Sequence, residues 1–271
     1  MARIFCAAVF LLIALKSQSS AISRNFTRVK YPEPEKILQD DILLPPNSHE
    51  KERTKLIETD VPSLWPNGVV YYVFEESEVD EYHRNLVRAA LRTMEQYSCV
   101  RFKESSAQGP HLRVRNIGEG CASVIGYQRD EQSQDLYLSG EACYTQGSIQ
   151  HEFLHSLGFG HEHTRPDRDS YVNIQWSNIV PGAEINFTKR RVRWVTDLLP
   201  YDYQSVMHYR PDAFKKDISS LTVVPRQPGA IALIGQRIQL SRLDVEKLNL
   251  LYGCYKYATI SRGSQAKKPS S

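Results

Sequence analysis

Residues 151–169 read HEFLHSLGFGHEHTRPDRD, and four of the chain's 8 histidines lie within the first thirteen of them. His151 and His155 are four positions apart, so on an α-helix their imidazoles lie on one face and can reach one point. Gly158 permits the left-handed backbone that ends a helix and reverses the chain. The spacing therefore predicts a helix that ends near Gly158, after which His161 returns to the same point from outside it.

Three imidazoles with an open fourth position are typical of a catalytic zinc, whereas a structural zinc is closed by four protein ligands. Glu152 follows the first histidine, where its carboxylate can reach a zinc-bound water without ligating the metal, as a general base does. Zinc lowers the pKa of its bound water from ~15.7 toward ~7. The pattern indicates one Zn²⁺ and the hydrolysis of peptide bonds, while His163 and His208 are interpreted as histidines outside the site.

The pattern HExxHxxGxxH and the residues after it resemble the extended signature of the astacins, a subfamily of the metzincin zinc proteases. The match continues through Glu162, Arg165, Asp167, Arg168 and Asp169. Residues 201–209, YDYQSVMHY, are similar to the Met-turn of that family. By this resemblance Met207 supports the metal from beneath as a soft side chain, and Tyr209 is a displaceable zinc ligand that can also donate a hydrogen bond to an oxyanion.

The resemblance spans about residues 56–254 and implies an α+β, zincin-like catalytic domain of two subdomains. A mixed sheet with two long helices forms the N-terminal part, the C-terminal part is less regular, and zinc lies in the cleft between them. The residues alone predict a buried strand at 69–74 and an amphipathic helix at 79–97. They also predict a helix that begins at Ser241 with a capping-type start.

The first 21 residues predict a secretory signal, because Arg3 precedes an apolar run of about twelve residues, shorter than the ~20 of a membrane span. We therefore expect a soluble, secreted, extracellular protein without a membrane partner. The formal net charge of +3 gives no indication of a nucleic-acid partner. Two sequons, at Asn25 and Asn186, are consistent with a secreted protein and are possible glycosylation sites.

Cys6 lies in the signal, so the remaining four cysteines enter an oxidising compartment as an even set, listed here: Cys99, Cys121, Cys143 and Cys254. Two disulfides with three possible pairings follow, the alternative being four free buried thiols. The resemblance to the astacins implies that Cys99 pairs with Cys254 and Cys121 with Cys143.

Residues 22–55 are rich in proline and charge and look like a detachable propeptide rather than part of a core; a flexible arm that is never cut is the alternative. By the resemblance, a trypsin-like protease cuts after Lys55, and the new amino group turns inward to Glu162. The stretch QDDILLP resembles the inhibitory motif of the family, in which Asp41 occupies the zinc position meant for water. The chain departs from the family in having Asp40 where glycine is common, and an ordinary solvated acid is the alternative role of Asp41. Asp40 is the alternative inhibitory residue.

The tail, residues 255–271, is polar and basic and is predicted to be disordered. We expect a monomer whose partners are protein or peptide substrates and the activating protease. Two alternatives to this function stay open: a catalytically inactive zinc-binding secreted protein on the same fold, and a metzincin of another subfamily. Glu152 opposes the first, and Glu162 opposes the second.

Overall fold

The computed structural model describes residues 37–39, 41–43, 61–106, 109–118 and 120–254. The predicted signal, Asn25, Asp40, the expected cleavage site after Lys55 and the tail all lie outside the described residues. Within these ranges, no helix is both long enough and apolar enough to cross a membrane.

The described chain forms a sheet of seven strands: β1 (Ile37–Gln39), β2 (Ile42–Leu43), β3 (Val69–Phe74), β4 (Arg101–Glu104), β5 (His111–Arg115), β6 (Gly120–Val124) and β7 (Ser133–Ser139). Their order across the sheet is β1-β2-β6-β7-β5-β3-β4. Strand β3 pairs in parallel with β4 and β5, and β5 pairs in parallel with β7. Because β6 runs antiparallel to β7 and β1 antiparallel to β2, the sheet is mixed, as expected.

Strand β3 lies where the β-branched and aromatic run predicted it, and Val70, Tyr72 and Phe74 bury alternate side chains against the core. Strand β7 was not predicted, although its Leu136 and Leu138 are buried in the same alternating manner. Its other positions are polar or half-buried, so the stretch SQDLYLS contains too few apolar residues for their alternation to indicate a strand.

Three α-helices lie in the described part of the chain: α1 (Glu81–Tyr97), α2 (Gln146–Ser156) and α3 (Arg242–Leu251). Helix α1 begins two residues later than predicted, because the carboxylate of Asp80 accepts a hydrogen bond from the backbone of His83 at 2.9 Å and caps it. Helix α2 is buried from Gly147 to Ser156, which places it in the centre of the molecule. Helix α3 has the predicted capping box, formed by Ser241 and Asp244.

Two apolar clusters correspond to the two expected subdomains. The larger one packs the sheet against α1 and α2 and also includes Met207. The smaller one lies in the C-terminal half around the short strands β8 (Val172–Ile174) and β9 (Val223–Pro225), and it includes Tyr209. Short 3₁₀ turns make up most of the remaining regular structure in this half, which accounts for its weak sequence periodicity.

Both disulfides have the pairing that the resemblance implies. Cys99 is bonded to Cys254, which ties the end of α1 to the end of α3 across 155 positions. Cys121 is bonded to Cys143, which ties β6 to the turn before α2.

The N-terminal segment contacts the sheet directly. Strand β2 pairs in parallel with β6, with Ile42 opposite Ser123 and Leu43 opposite Val124. The side chains of Ile42 and Leu43 are buried. These two residues add a short apolar strand to the sheet next to β6, so this part of the segment is docked on the domain. That the segment is a detachable propeptide stays a prediction.

Candidate metal centre

The three predicted histidines converge. His151 and His155 lie one turn apart on α2, and their Nε2 atoms are 3.0 Å from each other. Gly158 has a φ of +101°, a left-handed conformation that suits glycine and turns the chain back after the helix. The ring of His161 then lies 4.8 Å from that of His155 and 5.5 Å from that of His151.

Backbone carbonyls fix which ring nitrogen of the two helical histidines faces the centre. Nδ1 of His151 lies 2.8 Å from the carbonyl oxygen of Val206, and Nδ1 of His155 lies 2.8 Å from that of Phe159. A carbonyl only accepts, so each Nδ1 carries the proton and each Nε2 presents a lone pair. This arrangement orients histidine ligands in metal sites.

Burial keeps His151 and His161 neutral, as metal ligation requires. Burial, reinforced by the positive charge of Arg237, lowers the pKa of His151 to about 3. Burial likewise lowers the pKa of His161 to about 4, against the opposing charge of Asp41. At neutral pH both rings therefore offer uncharged nitrogen donors.

Asp41 provides the fourth donor in the described structure. Its Oδ2 lies 2.9 Å from Nε2 of His151, and its Oδ1 lies 2.9 Å from Nε2 of His161 and 3.5 Å from Nε2 of His155. All four ligand atoms lie within 4.8 Å of one another. Burial alone would raise the pKa of Asp41, but its interactions with His161 and His151, which carry charge only at low pH, outweigh burial and hold that pKa well below its usual value.

The donor set fits zinc. Three neutral imidazole nitrogens and one carboxylate oxygen are common ligands of a four-coordinate Zn²⁺. The hydrogen bonds to Nδ1 of His151 and His155 leave the correct nitrogens facing the centre. His151, His155 and His161 would hold the metal, and Asp41 would occupy the position that a catalytic site leaves open.

Glu152 and the Met-turn surround this centre. Glu152 follows the first ligand on α2 and is 2% exposed. Met207 is buried, and its backbone oxygen accepts a hydrogen bond from the backbone of Glu162 at 3.0 Å. The ring of Tyr209 lies 4.6 Å from that of His161. The fold thus places Glu152 next to the first ligand on α2 and the ring of Tyr209 beside that of His161.

His163 has a contact that the sequence did not reveal. Its ring stacks on that of Tyr209 at a centroid distance of 3.8 Å, and its Nε2 donates to the backbone oxygen of Asn186 at 3.0 Å. Burial lowers the pKa of His163 well below its usual value, so the ring is neutral. His163 is therefore a packing partner of the expected zinc-binding tyrosine. Its spacing from the three ligands could not indicate this.

Asp244 links α3 to the first ligand. Its carboxylate accepts hydrogen bonds from Ser205 Oγ at 2.6 Å and from the backbone of Val206 at 2.8 Å. Val206 in turn accepts the Nδ1 proton of His151. Burial raises the pKa of Asp244 to about 6, and hydrogen bonds from Ser205 and Val206 oppose that shift.

Glu162, the expected partner of the new amino group, has two cationic partners in the described structure. Lys247 Nζ lies 2.7 Å from both of its oxygens, and Arg165 Nη1 lies 3.0 Å from Oε1. The contact with the new amino group stays a prediction. Burial alone would raise the pKa of Glu162, but the charges of Lys247 and Arg165 lower it below its usual value. Its charge is already balanced in the uncut chain.

Two other residues of interest are buried. Asn186 is 6% exposed within a 3₁₀ turn, so glycosylation there stays a prediction that requires modification before folding. Arg190, in the basic stretch 189–194, donates to Asp197 at 2.7 Å and to the backbone oxygen of His161 at 3.1 Å. Its charge is therefore paired inside the protein.

Comparison with known proteins identifies the family. The family model that describes the peptidase family Astacin matches residues 58–253. The chain is 40% identical to Seminal metalloprotease 1 of Drosophila melanogaster over 70% of this chain and 78% of that protein. It is 36% identical to Meprin A subunit alpha of Rattus norvegicus over 83% of this chain, a match that spans 28% of the rat protein.

A solved structure agrees with these matches. The fold is similar to that of high choriolytic enzyme 1, a hatching enzyme zinc-protease from Oryzias latipes, with a TM-score of 0.64 and 35% sequence identity. The match covers 72% of this chain and 94% of the fish enzyme. Together with the convergent histidines, it confirms the α+β zincin-like fold with a zinc site in the cleft.

Proposed function

This chain belongs to the astacin family of zinc metalloendopeptidases, and on that basis we propose that it is a secreted enzyme made as an inactive zymogen. It hydrolyses peptide bonds in proteins with the help of Glu152. The observation that carries the proposal is the contact of Asp41 with His151 and His161 at 2.9 Å each. The same histidines that would hold a catalytic zinc are covered by a carboxylate from the N-terminal segment.

Each residue of the site has a defined task in hydrolysis. Bound zinc supplies a Lewis acid that polarises the scissile carbonyl and makes water easier to deprotonate. Glu152 takes the proton of the attacking water and gives it to the leaving amine, as a general base that then acts as an acid. Its burial keeps bulk water from competing for that proton.

Tyr209 stabilises the charge that develops during the attack. Its phenol donates a hydrogen bond to the oxyanion of the tetrahedral species, a contact worth most in a site that excludes water. The stacked ring of His163, 3.8 Å away, limits the positions that the phenol can take. Met207 supports the histidines from beneath through its packing in the larger core.

Latency follows from the position of residues 41–43. Asp41 takes the position of the fourth ligand, and β2 pairs with β6. Removal of this segment would free both the fourth ligand position and the β6 strand beside it, where an extended substrate can add as a strand. A propeptide of residues 22–55 and a mature domain of residues 56–254 fit this scheme.

Export and activation are part of the same proposal. The signal-like residues 1–21 direct the chain out of the cell, where its two disulfides are stable. A trypsin-like protease then cuts after Lys55, and the mature enzyme acts as a monomer on protein or peptide substrates.

Controlled proteolysis tests the proposal. The precursor, residues 22–271, is treated with trypsin, and casein cleavage is measured with and without a zinc chelator, beside a Glu152→Ala variant. We expect chelator-sensitive activity that appears only after a cut near Lys55 and is absent from the variant. Stoichiometric zinc binding without hydrolysis would instead support an inactive zinc-binding protein. Full activity before any cut would contradict the zymogen.

A further inference from the structure

His161, the third predicted zinc ligand, differs from the other two in how it is held. Metal-binding histidines usually donate their second ring nitrogen to a neighbouring oxygen, which orients the ring. A backbone carbonyl accepts the Nδ1 proton of His151 and of His155, whereas no described residue forms a hydrogen bond with Nδ1 of His161. His161 also lies outside α2, after the turn at Gly158. Its position is therefore set by its backbone and by the rings packed around it.

Arg190 holds the backbone of His161. The turn that begins at His161 closes at Thr164, whose hydroxyl donates to the backbone oxygen of His161 at 2.8 Å. Nη1 of Arg190 donates to that same oxygen at 3.1 Å and to the hydroxyl oxygen of Thr164 at 2.9 Å. The backbone NH of Arg190 also donates to the backbone oxygen of Thr164 at 2.8 Å. Arg190 thus contacts both ends of the turn that carries the third ligand.

The guanidinium of Arg190 is itself fixed on two sides. Its Nη2 donates to Oδ1 of Asp197 at 2.7 Å, and both residues are buried. Its central carbon lies 4.3 Å from the centroid of the Trp194 ring, a cation–π contact. Oδ2 of Asp197 accepts a hydrogen bond from the backbone of Trp194 at 2.9 Å, so the carboxylate and the indole are fixed to each other. The planar guanidinium therefore holds one defined position.

Gly160 leaves the room that this arrangement needs. A Cβ atom at position 160 would lie 2.6 Å from Nη1 of Arg190 and 2.9 Å from Cζ3 of Trp194. Both distances are well below the ~3.5–4.0 Å of an ordinary van der Waals contact. The backbone directly before the third ligand therefore packs against the guanidinium and the indole.

We propose that Arg190 is the positioning residue of the third zinc ligand. It fixes the backbone of His161, in place of the hydrogen bond to Nδ1 that orients each of the two helical ligands. Arg190 is not a catalytic residue, because it acts through His161. The inference rests on the proposed function as a zinc enzyme and names a side chain on which retention of the metal depends.

Zinc release from the uncut precursor, residues 22–271, tests the inference. The zinc-loaded protein is mixed with a chelating dye, and the rate of metal transfer is measured. Arg190→Lys keeps a positive charge beside Asp197 but lacks the planar fork that reaches Asp197 and His161 together. We expect zinc release to accelerate by about 10-fold or more, as is typical when a contact behind a metal ligand is lost. The visible spectrum of the cobalt(II)-substituted variant should also change, because it depends on the ligand geometry.

Two further variants separate this role from general stability. Arg190→Met combined with Asp197→Asn removes both charges together, so no uncompensated charge stays buried. The asparagine keeps an oxygen for the backbone of Trp194. This double variant should match Arg190→Lys in zinc release and in its cobalt spectrum. Arg113→Lys is the control, because Nε of Arg113 lies 2.7 Å from Asp135 in an arginine–aspartate pair on the sheet. It should leave both quantities unchanged.

A folded Arg190→Lys precursor with the zinc release and cobalt spectrum of the wild type would overturn the inference. Equal changes in Arg113→Lys would overturn it as well, because the effect would then not be specific to the third ligand. If Arg190→Lys does not fold, the double variant decides in the same way. Absence of hydrolysis by the trypsin-treated wild type would refute the proposed protease, and zinc release would still test Arg190.

Discussion

Asp41 Oδ2 lies 2.9 Å from His151 Nε2, although the two residues are 110 positions apart in the chain. The contact joins the segment expected to be removed to the first histidine of α2. Ile42 and Leu43 fix the aspartate there, since they are buried in a strand paired with β6. In the proposed zymogen, the same three residues therefore both dock the segment and inhibit the site.

Substitution of Asp41 should release part of the inhibition without proteolysis. Asp41→Ala removes the carboxylate from the histidines but keeps the apolar contacts of Ile42 and Leu43, so the segment stays docked more loosely. We expect the uncut precursor to gain activity on a small fluorogenic peptide by at least ~10-fold, corresponding to about 1.4 kcal/mol.

Asp40→Ala is the control for this experiment, because the adjacent aspartate was the alternative inhibitory residue. The precursor with Asp40→Ala should remain inactive. Activation by Asp40→Ala and not by Asp41→Ala would show that Asp40 is the inhibitory residue and that our assignment is wrong.

Tyr209→Phe should mainly lower kcat. The phenyl ring keeps its stacking on His163 but cannot donate a hydrogen bond to the oxyanion, and loss of one such donor typically costs ~10²-fold or more. KM should change by less than about 3-fold, because the lost contact forms only in the transition state. Steady-state kinetics of the mature enzyme measure both values. Tyr82→Phe, on an exposed tyrosine of α1, is the control. Equal losses in the two variants would exclude the assigned role.

Asp244→Asn should change how stability depends on pH. The pKa of Asp244 is raised in the folded protein to about 6 from 3.8. A raised carboxyl pKa contributes stability that is present below the unfolded pKa and is lost as the pH rises through the folded one. From pH 7 to pH 3.5, the wild type should therefore gain on the order of 3 kcal/mol relative to the variant.

Urea unfolding at several pH values measures this difference. Other groups that titrate, including the metal ligands, are shared by both proteins and cancel in the comparison. Asp130→Asn, at an exposed aspartate, serves as the control. A stability difference between wild type and Asp244→Asn that is independent of pH would show that the carboxyl is not perturbed.

The two disulfides should differ in their contribution to stability. In the chain-entropy account, a cross-link over 155 positions removes more disorder from the unfolded chain than one over 22. Replacing Cys99 and Cys254 by alanine should lower the free energy of unfolding by about 5 kcal/mol, and replacing Cys121 and Cys143 by about 3 kcal/mol. Denaturant unfolding measures both. A larger loss of stability from replacing Cys121 and Cys143 than from replacing Cys99 and Cys254 would indicate that native-state contacts, and not chain entropy, are the main source of the stabilisation.

Much of the site could be read from the sequence because its main parts are local. His151, Glu152, His155 and Gly158 lie on one helix and its terminating turn, where spacing fixes geometry. Strand β3 and helix α1 were predicted for the same reason, since their apolar positions repeat with the period of the element.

The residues that the sequence did not reveal act through long-range contacts. Lys247 meets Glu162 across 85 positions, and Asp244 meets Val206 across 38. Neither has a periodic or spacing signal that points to the metal centre. In α3, the sequence identified Asp244 only as a capping residue. Lys247 lies among apolar residues of that helix, and from the sequence alone it is interpreted as a surface cation. In the folded chain Lys247 is buried and forms an ion pair with Glu162.

The most direct test of the account is the activity of Glu152→Gln together with its zinc content. The mature variant should bind one zinc per chain, because the three histidines are intact, while kcat on a peptide substrate falls by ~10³-fold or more with the loss of the base. Retention of activity within about 10-fold at full zinc occupancy would contradict the assignment of Glu152 and, with it, the mechanism proposed for this enzyme.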